Sequence, residues 1–395
     1  MTDSISRFLQ QELQSLQKQD LLRVQKVFQS EASGKLVPAQ LPDLLDFMSN
    51  DYLCLAHHPQ VIQAASNAAQ AYGTSARASQ LISGYSPLHQ QLCEQLAGFL
   101  GEQAALLFPS GFQTNLGVLS ALLSNEDAVF CEKRSHACIV DGARNSGARF
   151  HVFRSTDLPK LESQLQKTQN ARHRWIVTDA IFSMDADFAP LSSLLNLAEQ
   201  YEATLIVDEA HALGLFGPTG NGLVAELELP TQRIIRTGTL SKAFAAQGGF
   251  VVGSQELITL LFSTARTQMF STGLSPMMVA AASTALQLIK QSGSQRQQLQ
   301  QNSQWLRERL HKQNITCLGE QRCPIIPVIA GEAETAVRWA KELAEHQLAV
   351  AAIRPPTVPH QTSRLRITLN TSHQQTDLEN LAIQLERVAQ QLTSN

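Results

Sequence analysis

The sequence lacks the features that mark membrane, secreted and nucleic-acid-binding proteins. No segment offers the roughly 20 consecutive apolar residues that span a bilayer, and the best candidate, Leu274–Ile289, is interrupted by polar residues and predicts a buried helix. A net charge of −3 provides no excess of positive charge for nucleic acid or an anionic membrane. The N-terminus has no apolar signal-peptide core and carries Asp3 and Glu12, which a transit peptide would avoid. We therefore expect a cytoplasmic protein with no nucleic-acid or membrane partner.

Cysteine is scarce and widely spaced. Six cysteines, at positions 54, 93, 131, 138, 317 and 323, form neither a C-x-x-C pair nor the dense pattern of a disulfide-stabilised secreted domain. Cys131, His136 and Cys138 lie close in the sequence, but their spacing matches no zinc-binding pattern. The sequence predicts free thiols and no metal site.

Length and hydrophobic patterning predict two domains. A chain of 395 residues exceeds what one hydrophobic core usually serves. Short apolar runs alternate with helical patterns, and the runs that suit buried strands are Ala104–Phe108, Trp175–Thr178, Thr204–Val207, Ile234–Arg236 and Phe250–Val252. Such alternation is typical of an α/β fold whose mostly parallel sheet is covered by helices on both faces.

The two ends of the chain differ from this pattern. An amphipathic N-terminal helix is predicted by apolar residues at helical spacing, namely Ile5, Phe8, Leu9, Leu13 and Leu16. Gln-rich helices dominate the C-terminal part, where Ile325–Ile329 and Leu365–Leu369 predict a small separate sheet. We expect a helical arm over residues 1–50, a large α/β domain over 51–289 and a smaller α+β domain over 290–395.

Two apolar runs are followed by residues of opposite charge, 34 positions apart. Asp208 closes the run that begins at Thr204, and Lys242 follows the run that begins at Ile234. Ligands of α/β folds bind at the carboxyl ends of the strands. There, a lysine can form an imine with a carbonyl, and an aspartate can keep a pyridine nitrogen protonated, as pyridoxal phosphate requires. Each residue alone has a simpler structural explanation, but their order and spacing together favour a pyridoxal-phosphate site, for which Pro109–Thr114 provides a helix start to bind the phosphate.

Several motifs resemble the α-oxoamine synthases, which are pyridoxal-phosphate enzymes of the aspartate-aminotransferase-like fold, fold type I. The motifs that carry the resemblance are Ser183–Asp185, Asp208–His211, Gly238–Lys242 and Gln247–Gly249. The resemblance runs from Asn50 to Thr368 and so covers most of the chain. Within this family, Ala352–Pro359 is most similar to the 8-amino-7-oxononanoate synthases of biotin biosynthesis.

The resemblance implies a role for each matching residue around the cofactor. Lys242 would hold pyridoxal 5'-phosphate as a Schiff base and move protons, and Asp208 would pair with the pyridine nitrogen. His136 would stack on the ring, take part in catalysis and contact the substrate. His211 would contact the phenolic oxygen of the cofactor, and Ser183 matches a serine that contacts the cofactor.

The remaining matches concern the phosphate and the substrates. The backbone of Gly111–Phe112 and the side chain of Thr239 would bind the phosphate. Arg354 would pair with the substrate carboxylate, because a guanidinium binds a carboxylate through two parallel hydrogen bonds. Arg23 and Thr357 would contact the acyl substrate.

The implied reaction is a decarboxylative condensation of L-alanine with a pimeloyl thioester, carried by coenzyme A or by an acyl carrier protein. Its products would be 8-amino-7-oxononanoate and CO2, and the enzyme would be a homodimer with shared active sites. One alternative is another α-oxoamine synthase, such as glycine C-acetyltransferase or serine palmitoyltransferase. An alternative of another class is a non-catalytic subunit that kept the fold, although such a subunit would be expected to lose Lys242.

The sequence departs from the family pattern at several positions. Cys54 and Ala186 replace glycines, and Ala245–Ala246 lacks a glycine that often follows the lysine. Gly73–Ser79 is poor in glycine, and Asp179 stands where glutamate is more common. Because glycine permits positive φ and close backbone approach, these changes put the acyl-chain preference in doubt more than the catalytic chemistry.

Overall fold

The computed structural model describes residues 2–390 except residues 20, 24, 26, 32, 33 and 39–42. The helices are α1 (Thr2–Lys18), α2 (Pro59–Tyr72), α3 (Pro87–Leu100), α4 (Gly111–Leu122), α5 (Ala137–Asn145), α6 (Leu158–Gln166), α7 (Leu191–Gln200), α8 (Leu223–Glu226), α9 (Gln255–Thr264), α10 (Arg266–Met269), α11 (Pro276–Gln291), α12 (Gly293–Lys312), α13 (Ala333–Glu345) and α14 (Gln375–Gln390). The strands are β1 (Phe28–Ser30), β2 (Lys35–Pro38), β3 (Leu44–Asp46), β4 (Ala104–Phe108), β5 (Ala128–Glu132), β6 (Arg149–Phe153), β7 (Arg174–Asp179), β8 (Thr204–Asp208), β9 (Ile234–Thr239), β10 (Gly249–Gly253), β11 (Ile325–Gly331), β12 (Leu348–Ala349), β13 (Ala351–Ile353) and β14 (Ser363–Thr368).

The described residues form two compact units. Unit 1 contains the described parts of residues 1–49 and 299–395 together with residues 184–186, and unit 2 contains residues 50–183 and 187–298. Helix α12 begins in unit 2 and ends in unit 1. The predicted limits of the arm and of the C-terminal domain remain a prediction, and the sequence analysis did not anticipate the short middle segment that belongs to unit 1.

Unit 2 is built on a seven-stranded sheet with the strand order β4-β10-β9-β8-β7-β5-β6. Neighbouring strands from β9 to β6 are parallel, whereas β10 is antiparallel to both β4 and β9. The five apolar runs that predicted strands correspond to β4, β7, β8, β9 and β10. This mostly parallel sheet confirms the predicted α/β fold class.

The sheet is covered on both faces, which explains why its strands are apolar along their length. In β8, Ile206 belongs to a core cluster with residues of α4, α5 and α9. Successive side chains of a strand point to opposite faces, and the neighbours Leu205 and Val207 are also fully buried. Burying one such side chain contributes about 1.5–3 kcal/mol, so both faces of the sheet stabilise the fold.

Unit 1 contains two small sheets, with the strand orders β1-β2-β3-β12 and β11-β14-β13. The predicted runs Ile325–Ile329 and Leu365–Leu369 correspond to the antiparallel pair β11 and β14, so the predicted C-terminal sheet is confirmed. The sequence analysis did not predict β1, β2 and β3, which are three or four residues long. Of these, β3 pairs with β12, whose partner residue Leu348 lies opposite Leu45.

Helix α1 confirms the amphipathic N-terminal helix, and its apolar residues, Ile5, Phe8, Leu9, Leu13 and Leu16, are exposed. Leu274–Ile289 corresponds largely to α11, whose inner face is buried. Arg354–Pro359 forms turns rather than a helix, as its prolines predict. Among the described helices, none combines the length and the hydropathy needed to cross a membrane.

All six cysteines are free thiols, of which Cys54 and Cys317 are half-buried and the other four are buried. Burial raises the pKa of each of these four thiols, to about 12 for Cys93 and Cys131 and to about 11 for Cys323. Within the described residues, no group of three or more His, Cys, Asp or Glu side chains could hold a metal ion.

Three positions at which the sequence departs from a family glycine keep the backbone conformation that favours glycine. The angle φ is +55° at Cys54, +60° at Ala186 and +50° at Ala245. A Cβ in this left-handed region costs roughly 1–2 kcal/mol. The fold therefore retains the glycine geometry at these turns and accepts local strain there.

Candidate active site

A cavity of about 270 Å³ lies at the carboxyl ends of the central strands of unit 2. Its walls come from the ends of β7, β8 and β9, the loop after β9, and the starts of α4 and α5. The lining residues are Ser110, Gly111, Phe112, His136, Cys138, Asp179, Asp208, Ala210, His211, Gly238, Thr239, Ser241 and Lys242. Open α/β folds bind their ligands at this edge of the sheet.

Asp208 is the last residue of β8 and is buried. Its Oδ1 accepts a hydrogen bond from the backbone N–H of Ala210 at 2.8 Å, and its Oδ2 accepts one from Nδ2 of Asn115 at 2.6 Å. The Oδ1 of Asn115 accepts a hydrogen bond from the hydroxyl of Thr237 at 2.7 Å. Both ends of the amide are thus occupied, and the carboxylate is held in one orientation on the cavity wall.

Lys242 ends a row of three hydrogen-bonded side chains. Its Nζ lies 2.8 Å from Nε2 of His211, and Nδ1 of the same ring lies 2.6 Å from the hydroxyl of Tyr52. Tyr52 is fully buried. The position of the lysine amine in the cavity is therefore set by an imidazole that is itself anchored to a buried phenol.

His136 caps helix α5 and is held from several sides. Its Nδ1 accepts a hydrogen bond from the backbone N–H of Cys138 at 3.3 Å, and its own backbone N–H donates to Oδ2 of Asp179 at 3.0 Å. The ring lies edge-to-face against Phe112, with 6.4 Å between the ring centroids. These contacts fix an imidazole on the cavity wall.

Two carboxyl groups lie side by side at the sheet edge, because Asp179 and Asp208 are opposite each other on the parallel strands β7 and β8. Burial raises the pKa of Asp179 well above its usual value and the Asp208 carboxylate raises it further, while the hydrogen bond from His136 opposes both. Two neighbouring buried carboxyls resist double ionisation. Asp179 is therefore the partner that keeps a proton.

The same environment acts on the imidazole of His136. Burial lowers its pKa and is the largest cause. The Lys242 ammonium lowers this pKa further, whereas the carboxylates of Asp208 and Asp141 raise it. Since desolvation dominates, the neutral ring is the favoured form at neutral pH.

The first turn of α4 forms a cradle for an anion. Ser110 caps the helix, and the backbone N–H groups of Gly111 and Phe112 have no intrahelical partner at this position. A Cβ on Gly111 would lie 3.0 Å from the Cβ and Oγ1 of Thr239, so a larger residue would crowd the end of β9. The hydroxyls of Thr239 and Ser241 lie 2.7 Å apart beside this turn.

The donor set of the cavity fits pyridoxal phosphate. The cofactor requires a carboxylate for its protonated ring nitrogen, an amine for its aldehyde, and backbone N–H groups for its phosphate. Asp208, Lys242 and the first turn of α4 offer these three groups on the wall of one cavity. The hydroxyls of Thr239 and Ser241 lie next to this helix start, where that of Thr239 donates to the carbonyl of Gly248 at 3.1 Å.

The structure brings together the residues that the sequence analysis assigned to the cofactor. Those that line the cavity are Lys242, Asp208, His136, His211, Gly111, Phe112 and Thr239. Ser183 follows the bridge residue Ile181 and is not among the lining residues of the described part of the chain. The individual roles of all these residues remain predictions.

Of the four residues assigned to the substrates, His136 lies on the cavity wall in unit 2, and the other three, Arg23, Arg354 and Thr357, belong to unit 1. Nη2 of Arg354 donates a hydrogen bond to the backbone carbonyl of Leu22 at 3.2 Å, and Nη2 of Arg23 lies 3.5 Å from Oγ1 of Thr357. The segment that contains Arg23 therefore contacts the turn after β13 at two points, and these three residues form one group within this unit.

The sequence analysis missed three buried residues of the site and recognised a fourth only as a departure from the family. Tyr52 and Asn115 contact partners 159 and 93 positions away in the chain, and Cys138 contacts His136 from two positions further along, within the first turn of α5. Asp179 was noted as a replacement for glutamate and not as a site residue. Tyr52 lies in a segment that carries the family resemblance, which is the one signal that points to it.

Comparisons with known proteins agree with the site. The family described as Aminotransferase class I and II matches residues 42–385. The 8-amino-7-oxononanoate synthase of Saccharophagus degradans is 41% identical over 99% of this chain and 98% of that protein. A serine palmitoyltransferase solved with pyridoxal phosphate as the internal aldimine has a TM-score of 0.92 at 26% identity, covering 98% of this chain and 99% of that chain. The 8-amino-7-oxononanoate synthase of Francisella tularensis has a TM-score of 0.76 at 27% identity, covering 89% and 98%.

These matches fix both the fold and the family. The near-complete structural overlap with a pyridoxal-phosphate enzyme confirms the fold-type-I prediction. Identity to the Saccharophagus protein, at 41%, is well above the 26% shared with the serine palmitoyltransferase, which is a relative within the wider family. The chain therefore belongs to the 8-amino-7-oxononanoate synthases, a family of pyridoxal-phosphate-dependent acyltransferases.

Proposed function

We propose that this enzyme condenses L-alanine with a pimeloyl thioester, releases CO2 and forms 8-amino-7-oxononanoate for biotin biosynthesis, with pyridoxal 5'-phosphate as its cofactor. The observation that carries the proposal is the position of Lys242, Asp208, His136 and the first turn of α4 on the wall of one cavity. The full-length match to the 8-amino-7-oxononanoate synthase of Saccharophagus degradans supports the choice of substrates. Either coenzyme A or an acyl carrier protein would carry the pimeloyl group.

The chain would supply binding, orientation and proton transfer. When bound, pyridoxal phosphate supplies an aldehyde for the substrate amine and a ring that stabilises negative charge on the α-carbon. Asp208, oriented by Asn115 and Ala210, would accept a hydrogen bond from the ring nitrogen. The amine of Lys242 would remove the α-proton of the substrate and later return a proton to the same carbon. His211 would hold that amine through the contact seen between Nε2 and Nζ.

The overall conversion balances when one proton is taken up from solvent, because the leaving thiolate and the α-carbon each need a proton and the α-hydrogen of alanine supplies only one. A carbon–carbon bond forms between the α-carbon of alanine and the thioester carbonyl, the carbon–sulfur bond breaks, and the thiol leaves. The alanine carboxylate leaves as CO2, and its electron pair is protonated at the α-carbon. A dry cavity favours loss of the carboxylate, because an anion is destabilised when it leaves water.

Three further residues are proposed to contact the carboxylate and the acyl chain. Arg354 would pair with the alanine carboxylate, and Arg23 and Thr357 would contact the acyl substrate. Support comes from the family resemblance and from the grouping of the three side chains around the turn after β13. The cytoplasmic location expected from the sequence stays a prediction.

A homodimer with shared active sites is the proposed assembly. Large apolar side chains are exposed on two segments of unit 2, namely Leu81, Ile82 and Tyr85 on one and Phe270 on the other. The two segments that carry them are adjacent, since the backbone N–H of Gly273 donates to the carbonyl of Ala78 at 3.0 Å. Monomeric proteins rarely expose large contiguous apolar patches, and a second copy of the chain would cover this one. Sedimentation of the wild-type chain and of Ile82→Arg tests this: a dimer that dissociates in the variant is expected, and a monomeric wild-type chain would contradict it.

The visible absorption spectrum of the purified enzyme tests the proposed function. We expect a bound-cofactor band that changes with L-alanine and less with glycine or L-serine, and mass spectrometry should detect 8-amino-7-oxononanoate after addition of pimeloyl-CoA or the pimeloyl carrier protein. Lys242→Ala should abolish turnover. Stronger responses to glycine or serine would favour another α-oxoamine synthase, and absence of a cofactor band would favour a non-catalytic subunit.

A further inference from the structure

The thiol of Cys138 lies between two side chains of the candidate site. Its Sγ is 2.9 Å from Nδ1 of His136 and 3.2 Å from Nδ2 of Asn115. The residue lines the cavity, and its side chain is almost completely buried. Nothing in the reaction proposed above uses this thiol, so its contacts require a separate explanation.

The direction of each hydrogen bond follows from the groups involved. The backbone N–H of Cys138 can only donate, and it donates to Nδ1 of His136, so this ring nitrogen carries a lone pair. A neutral imidazole then bears its proton on Nε2. Burial raises the pKa of the Cys138 thiol, which keeps its hydrogen. The S–H can therefore donate to Nδ1 as a second donor beside the backbone.

Asn115 determines that the sulfur of Cys138 accepts one hydrogen bond and donates another. The hydroxyl of Thr237 donates to Oδ1 of Asn115, which places the NH2 group on the other side of the amide. One hydrogen of that NH2 group goes to Oδ2 of Asp208 and the other to Sγ of Cys138. Because the sulfur accepts from Asn115, its own hydrogen is left for His136. A single amide therefore contacts both the carboxylate and the thiol.

We propose that Cys138 is a positioning residue that donates its S–H to Nδ1 of His136 and holds this ring in the tautomer with the proton on Nε2. The Nε2–H is then the one N–H donor that the ring offers to a substrate oxygen. Through Asn115, the same network ties the orientation of His136 to that of Asp208. The importance of this tautomer for turnover rests on the proposed function, whereas the tautomer itself does not.

Nitrogen NMR of the full-length chain labelled with ring-¹⁵N histidine tests the tautomer directly. The spectrum is recorded without cofactor and substrate, and the His136 signals are assigned by their loss in His136→Gln. We expect one protonated and one bare ring nitrogen with the proton on Nε2. Cys138→Ala should introduce a population with the proton on Nδ1, and Cys138→Ser should restore the wild-type pattern, because a hydroxyl can donate in place of the thiol.

Steady-state kinetics with the cofactor-loaded enzyme provide the second readout. Loss of one hydrogen bond of this kind corresponds to about a 5-fold effect. We expect kcat/KM for the amino acid to fall by about that factor in Cys138→Ala, with recovery in Cys138→Ser. Cys131→Ala is the matched control, because Cys131 is an equally buried thiol of the same core cluster whose S–H points to the carbonyl of Glu132.

The outcomes separate this inference from the proposed function. A wild-type chain whose His136 carries its proton on Nδ1 would overturn the inference even if no variant folds. Equal changes of the His136 signals in Cys131→Ala and Cys138→Ala would also overturn it, since they would show that lost packing, and not the lost S–H donor, causes the change. If the enzyme prefers another amino acid, the proposed substrate is wrong, but the NMR result on Cys138 and His136 still stands.

Discussion

Tyr52 reaches Lys242 through a single intervening ring, since His211 places one nitrogen 2.6 Å from the phenol oxygen and the other 2.8 Å from the lysine amine. The buried phenol of Tyr52 therefore affects Lys242 indirectly, through His211. Removing its oxygen leaves the packing of the aromatic ring intact, takes away the 2.6 Å contact to His211 and also removes a longer hydrogen bond to Oδ1 of Asn50 at 3.4 Å.

The hydrogen-bonded side chains of Tyr52, His211 and Lys242 give the first prediction. Tyr52→Phe should lower kcat/KM by about 10-fold, because His211 loses one partner in a buried site and holds the lysine amine less firmly. Steady-state kinetics and cofactor titration measure the effect. The control is Tyr201→Phe, which removes a hydroxyl bonded to Glu162 at 2.8 Å outside the cavity. Equal losses in both variants would show that the effect is not specific to the site.

The second prediction concerns Asp208. Asp208→Asn keeps the shape of the side chain but removes the charge that would hold a protonated ring nitrogen. Turnover should fall on the order of 100-fold, as when a preorganised electrostatic partner is removed. Cofactor titration followed by single-turnover kinetics separates weaker binding from slower chemistry. Asn115→Ala, which removes only the amide that orients the carboxylate, should have a smaller effect of the same kind, and a variant Asp208→Asn with normal turnover would contradict the assignment.

The third prediction concerns a buried ion pair beside the site. Nε of Arg236 lies 2.6 Å from Oε2 of Glu209, and both side chains are buried. Glu209→Ala should reduce the free energy of unfolding by about 3–5 kcal/mol, because the guanidinium would remain buried without its counter-charge. Urea denaturation measures this. Asp43→Ala removes a half-exposed partner of Lys35 at 3.7 Å, and should change the stability by less than about 1 kcal/mol.

The fourth prediction concerns acid sensitivity in unit 1. His373 stacks on Phe47 with 4.2 Å between the ring centroids, and burial lowers its pKa to about 4. In the unfolded chain a histidine titrates near pH 6.5, so between about pH 6.5 and 4 the unfolded state binds more protons than the folded state. Stability contributed by the neutral ring is therefore complete above this window and decreases as the pH falls through it.

From pH 7 to pH 5, this residue alone should reduce the free energy of unfolding by about 2 kcal/mol. Replacing it by glutamine lowers stability at every pH but removes the titration, so His373→Gln should show a shallower pH dependence by that amount. Denaturant unfolding at the two pH values checks it. Parallel curves for the variant and the wild-type chain would show that His373 does not titrate in this window.

The fifth prediction concerns backbone strain after the lysine. Ala245 has a φ of +50°, whereas its neighbour Ala246 is not among the residues with positive φ. Ala245→Gly should stabilise the protein by about 1 kcal/mol, because glycine adopts this conformation without a Cβ clash. Ala246→Gly should destabilise it by roughly 0.5–1 kcal/mol through the entropy of the unfolded chain. Thermal unfolding of the two variants should therefore shift the midpoint in opposite directions.

The large domain could be predicted from the sequence because its strands are buried on both faces. Ala104–Phe108 matches β4 end to end, since such a strand is apolar throughout and stops where the apolar run stops. The short strand β3 could not be predicted, because its pairing with β12 joins Leu45 to Leu348 and leaves no local pattern.

Of the residues in the candidate site, some could likewise be predicted from the sequence and others could not. Asp208 could be predicted because it ends an apolar run, and that position alone places it at the edge of the sheet where ligands bind. Asn115 and Cys138 could not be predicted, because neither an amide inside a helix nor a free thiol is a distinctive local pattern. Their contacts with the carboxylate of Asp208 and the imidazole of His136 form only when the chain folds.

The burial of four of the six thiols has a practical consequence for spectroscopy. Thiol-reactive probes attack the thiolate, which is scarce where burial raises the thiol pKa. The half-buried residues Cys54, in unit 2, and Cys317, in unit 1, therefore stand out as attachment points. The natural sequence thus provides one labelling position on each unit, and a donor–acceptor dye pair placed there would report distances between the units during turnover without any engineered cysteine.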